Sequence, residues 1–166
     1  MFDSLKSVVE TLKAFGAEGA GEARNDAAKV RLAVASLLVR AATIDGHLDG
    51  SEASVLRDLL KSHYRLDEGE SEALFADARE REAEAVDIYS FTRQIQTTLA
   101  REERQAIVRL MWQVAAADGV IDEFESNLVW RTAELIGIST RDRVFLRQEV
   151  LAEIEKNGVK ESTQDG

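Results

Sequence analysis

Apolar residues return every three or four positions along most of this chain, an interval that predicts helices throughout. From about Asp26 to Ile44, Val30, Val34, Leu37, Leu38 and Ala41 form one broad stripe. Ala33, Ala35, Ala41 and Ala42 are small enough to admit a neighbouring helix closely. Asp45-Gly46 then breaks the pattern, and Gly46 suits the left-handed backbone that often follows a helix. Asp49 predicts an N-cap, with Glu52 three residues on in a capping-box arrangement, ahead of a returning face of Val55, Leu56, Leu59 and Leu60. The pair reads as a hairpin of two helices.

The same grammar continues downstream. Asp67 and Glu70 predict the capped start of a helix reaching Glu84, with Leu74, Phe75 and Ala78 as its apolar positions. Glu68, Glu70, Glu72, Glu80, Glu82 and Glu84 spread around it and are expected to be solvated surface. Asp87 can cap a helix that keeps Ile88, Phe91, Ile95 and Leu99 on one side. Arg101 to Ala117 carries the stripe Ile107, Leu110, Met111 and Val114. Trp112 lies beside that stripe and is expected in the core or at an interface, and Trp130 is a partly exposed interface candidate. After Asp122 and Glu125, a further face is restored by Leu128, Val129, Leu135 and Ile136. Gly137 ends it, Ser139 caps the last helix, and Leu146, Val150, Leu151 and Ile154 close the bundle.

The ends differ in character. Leu5, Val8, Val9, Leu12 and Phe15 fall close to one face of a short helix that can cover the core or dock elsewhere. Gly16 to Arg24, GAEGAGEAR, has no bulky apolar anchor and reads as a flexible connection; it lacks the lysine ending of a phosphate-binding loop. Gly158 and the polar residues after it are expected to fray. The expected division is an N-terminal helix and connection over 1–24, a helical domain over 25–157 and a flexible tail over 158–166. The fold class is all-α, a compact helical bundle containing two duplicated hairpins.

Composition narrows the chemistry. With 166 residues, 45% of them hydrophobic, the chain suffices for one domain with a sizeable core, and the absence of proline favours long helices joined by short turns. A net charge of -10 opposes nonspecific attraction to nucleic acid or an anionic bilayer. No cysteine is present, which excludes thiolate catalysis and cysteine metal sites. The N-terminus has no continuous signal-peptide core and no apolar run is long enough to span a membrane, so a soluble cytoplasmic protein is expected.

The candidate chemistry lies in two matching acidic turns. DGHLDGSE, Asp45 to Glu52, aligns without a gap on DGVIDEFE, Asp118 to Glu125, pairing Asp45 with Asp118, Gly46 with Gly119, Leu48 with Ile121, Asp49 with Asp122 and Glu52 with Glu125. Helix capping accounts for Asp49, Glu52, Asp122 and Glu125 without any ligand. It does not account for Asp45 and Asp118, which end helices where negative charge is unfavourable; a local turn bond or a bound cation would. Both turns are like the latter half of an EF-hand loop, yet Val114 and Ala116, and in the first copy Ala41 and Thr43, stand where that loop needs oxygen ligands. An ordinary EF-hand is therefore excluded. His47 has no counterpart at Val120, and His47 and His63 are read as surface or structural residues.

An alanine-rich helix running into an acidic glycine turn, here VAAADGVIDEFE from Val114 to Glu125, resembles the tellurite-resistance TerB-like family. RAATIDGHLDGSE, Arg40 to Glu52, is a looser copy, and LIGIS, Leu135 to Ser139, fits the family's following helix end. The resemblance spans Asp26 to about Ile154 and implies an all-helical domain linked to stress responses or membrane-associated protein complexes. It implies Asp45, Asp49, Glu52, Asp118, Asp122 and Glu125 as candidate ligands for Ca2+ or Mg2+. The leading expectation is a nonenzymatic protein-interaction domain with a protein partner and no direct membrane insertion. Its competitors are a metal-dependent hydrolase built on the Asp/Glu cluster and a structural domain that self-associates through Trp112, Trp130 and the N-terminal helix.

Overall fold

In the computed structural model, residues 24–44, 46, 48–117 and 120–164 are described, the last seven as backbone only. The N-terminal helix and connection expected before residue 24 lie outside them, as do Asp45, His47, Asp118 and Gly119.

The first helix, α1 (residues 24–42), is buried around its whole circumference from Ala33 to Val39. Its sequence predicts one stripe; its place at the centre of the bundle buries every face instead. Ser36 is tolerated there because its hydroxyl donates to the Leu32 carbonyl at 2.7 Å. The chain then forms α2 (Gly50–Tyr64), α3 (Glu68–Glu84), α4 (Tyr89–Thr98), α5 (Arg101–Ala115), α6 (Glu123–Leu135) and α7 (Thr140–Gln164). Among the described residues there is no strand, and the molecule is an all-α bundle.

Helix α5 is the second organising element, packing against α2, α6 and α7, while α3 lies on α2 and α4 on α6. Its stripe of Ile107, Leu110, Met111 and Val114 is buried as the period predicts. Trp112 is only 1% exposed and packs edge-on against Trp130, ring centroids 6.0 Å apart. It is a core residue, so it cannot anchor a self-association surface; its neighbour Trp130 is half-buried.

Polar contacts tie the helices at their flanks. Glu82, expected among the solvated acids of α3, pairs with Arg40 at 2.7 Å and is largely covered. Arg40 also donates to the Ala85 carbonyl, 3.2 Å away, which fixes the end of α3 against α1. Arg109 pairs with Glu149 and Arg101 with Asp142 at 2.7 Å, joining α5 to α7. Asp67 caps α3 by accepting the Glu70 amide at 2.8 Å. Asp87 acts from one residue before the cap position of α4, accepting the Tyr89 amide at 2.9 Å.

At the end of α6, the Ile138 amide reaches the Ala133 carbonyl at 2.9 Å and Gly137 takes φ +78°. Arg104 donates to the Ile136 carbonyl at 2.6 Å and seals this turn from α5. Ser139 caps α7 as the sequence predicts, accepting the Asp142 amide at 3.2 Å. Helix α7 then runs to Gln164, past the Gly158 where fraying is expected. A lone glycine weakens a helix by about 1 kcal/mol relative to alanine but leaves its hydrogen bonds intact.

Candidate functional site

Each acidic turn is built from a helix cap. Asp49, with φ -77° and ψ 169°, accepts the Glu52 amide at 2.8 Å and the Ser51 hydroxyl at 2.8 Å, both on Oδ1. Asp122, with φ -80° and ψ 169°, accepts the Glu125 amide at 2.8 Å on its own Oδ1. The two caps are alike in backbone and in the amide they accept, while the Ser51 hydroxyl has no counterpart at Phe124. Asp49's carboxyl is held below the usual range, first by the Glu52 amide and then by the Ser51 hydroxyl, so it is ionised at neutral pH. Gly46, at φ +94°, turns the chain after α1, and its amide bonds to the Thr43 carbonyl at 2.8 Å.

The third residue of each helix carries the inference further. Glu52 from α2 and Glu125 from α6 line one cavity of about 10 Å³, walled by Ala42, Val55, Val114 and Ala115. The two turns therefore lie side by side, at the end of the bundle where α1 and α5 both finish. Oε2 of Glu125 is shielded from solvent. The small side chains of Ala42 and Ala115 let the helices approach closely enough for the glutamates to share that space. A volume of this size suits one water or one small ion.

The six sequence candidates thus divide. Glu52 and Glu125 meet at the cavity, Asp49 and Asp122 brace the helix starts above it, and Asp45 and Asp118 lie outside the described residues. Among the described residues, no three histidine, aspartate or glutamate side chains converge as metal ligands. The donors are all oxygen, which fits Ca2+ or Mg2+ rather than zinc; two glutamates alone fall short of the six or more oxygens such ions take.

Beside the second turn, the surface carries apolar side chains that the sequence did not single out. Phe124 is 71% exposed and Val120 is 69% exposed, flanking the acids of the second turn. Phe124 stands one turn before Leu128 and so keeps the period of the core stripe. Only the fold reveals that the first turn of α6 leaves it in solvent.

The arrangement defines a helical domain with an acidic, apolar-tipped face assembled from two inter-helix turns. Residues 31–148 match the family model described as Tellurite resistance protein TerB, and the chain belongs to the TerB family. No curated protein matches the chain, and no solved structure does.

Proposed function

We propose that this TerB-family chain is a nonenzymatic, cytoplasmic protein-interaction domain, linked to stress or tellurite response, that presents its paired acidic turns to a protein partner. The observation that carries this is the exposure of Phe124 and Val120 amid the acids of the second turn. Large apolar side chains rimmed by charge are the usual anchors of a protein contact. The complementary partner surface has basic side chains around an apolar pocket. That partner is a protein, including one held at a membrane. Nucleic acid is disfavoured by the net charge of -10, and no helix among the described residues is long and apolar enough to cross a bilayer.

A divalent cation, Ca2+ or Mg2+, completes the proposal. Glu52 and Glu125 would hold it at their shared cavity, with Asp45 and Asp118 from the turns and the second oxygens of Asp49 and Asp122 as further donors. The cation would offset repulsion between the two glutamates and set the spacing of the turns. The small cavity supports a binding role over hydrolysis, since it has no room for a substrate beyond a water or ion.

A photo-reactive phenylalanine analogue placed at Phe124, in cells, tests the contact. Discrete protein adducts from this position, lost when Glu123 and Glu125 are both changed to lysine in the same chain, are expected. Adducts unchanged by those substitutions would remove the acidic face from the interaction.

A further inference from the structure

At the other end of α1 and α5 lies a groove of about 660 Å³. Its floor is Ala27, Val30, Tyr64, Leu99, Ala106 and Ile107. Asp26, Glu102 and Glu103 supply acid to its lining, with Arg31 and His63 as the basic side chains there. It is separated from the acidic turns by the length of α1, about 18 Å from Val30 to Ala42 at 1.5 Å per residue. Tyr64 is half-buried in this lining, and that burial pushes its hydroxyl pKa up to about 12.

We infer that this groove is the docking site of the chain's own N-terminal segment, residues 3–15, bound as an amphipathic helix. Four observations select this occupant. First, Leu5, Val8, Val9, Leu12 and Phe15 fall on one face at helical spacing, so the segment has an apolar stripe to bury. Second, Asp26, Ala27, Val30 and Arg31 are the first turns of α1, so the chain enters the described structure at the groove's own wall.

Third, the connection from Gly16 to Ala23 has the right reach. Its residues span at most about 28 Å fully extended, and a glycine-rich chain of that length averages about 16 Å. A segment so tethered meets the groove at an effective concentration of order millimolar, which a free partner must exceed. Fourth, Lys6 and Lys13 sit seven residues apart, two helical turns, along one border of the apolar stripe. The groove lining, with Asp26, Glu102 and Glu103 against Arg31 and His63, is acidic on balance and complements them, while Asp3 and Glu10 fall on the opposite side of the segment from its stripe.

The segment also requires such a surface. A helix of this length is marginal in water by itself and gains its stability from the apolar face it buries. Docking and helix formation are then one event, and the N-terminal segment closes the side of the bundle where α2 ends and α5 begins.

The chain has no cysteine, so Ser7→Cys on the polar side of the segment provides a unique attachment point for a nitroxide label. In the full-length 15N-labelled protein, the label should reduce the amide signals of Tyr64, Leu99 and Ala106 several-fold while leaving Phe124, beyond the far end of α5, at full intensity. Adding Leu5→Asp and Leu12→Asp to the labelled chain should restore the groove signals with the rest of the spectrum unchanged. Ala106→Arg, which fills the groove from the other side, should do the same. Groove signals untouched by the label would overturn the inference. So would broadening that appears when spin-labelled chains without 15N are mixed with unlabelled 15N chains, because a second copy would then be the occupant.

Discussion

Asp122 caps α6 and is assigned a second, proposed job at the cation, and chemistry can separate the two. As a cap it accepts the Glu125 amide, and asparagine can do this equally well. As a further donor to the proposed cation, its charge has no neutral substitute. Asp122→Ala should therefore cost about 1 kcal/mol in urea unfolding, whereas Asp122→Asn should cost little and weaken only the proposed cation binding. Equal losses of stability in both variants would mean that the charge itself holds the fold. Gly137 tests a different local demand, because its φ of +78° is strained for any residue with a side chain and an added Cβ would lie 2.9 Å from the Arg104 guanidinium. Gly137→Ala should destabilise by about 1–2 kcal/mol; an unchanged midpoint would show that the α6–α7 turn relaxes freely. Acid acts on the other carboxylates. Asp49 is held low by the Glu52 amide and Ser51 hydroxyl, and Asp142 by Arg101 and then Ser139, so the folded chain binds fewer protons than the unfolded one at mildly acidic pH. Their stabilisation is complete above an ordinary aspartate pKa of about 4 and is lost as pH falls through the depressed values. The urea midpoint should hold down to about pH 5 and then drop towards about pH 2, and less so in Asp142→Asn.

Among the elements, α1 bears the largest share of the core, since Val34, Leu37 and Leu38 have no exposure at all. Leu38→Ala should cost about 3 kcal/mol by denaturation, while Ile154→Ala, at a site 38% exposed on α7, should cost less than about 1 kcal/mol. A reversal would displace α1 from the centre. Helix positions and caps were legible in the sequence because both are local: the stripe of α5, and the caps Asp49, Asp67, Asp122 and Ser139, needed only period and spacing. What the sequence could not carry was which faces a helix buries against distant neighbours. Trp112, open between core and interface in the sequence, is in the core; Phe124 keeps the core period and is nonetheless in solvent, and Glu82 among its acids is committed to Arg40. Each depends on the packing of helices far apart in the chain. Pairing of the turns has the same origin, because alignment of Glu52 with Glu125 says that they are equivalent and only the packing of α1, α2, α5 and α6 makes them neighbours.

For the whole molecule, α1 and α5 act as parallel struts with a different surface at each end. One end carries the apolar groove and the other the acidic turns, so changes at either should be separable. In the proposed reading the two turns form one face with one cation between them. Calorimetric titration of Ca2+ and of Mg2+ into the full-length protein at near-physiological salt tests it most directly, alongside Glu52→Gln and Glu125→Gln made singly. A single ion per chain is expected, with binding weakened at least about tenfold by either substitution alone, since each removes one of two glutamates at the same ion. Two ions per chain, each lost only with its own glutamate, or no binding by the native protein, would contradict it.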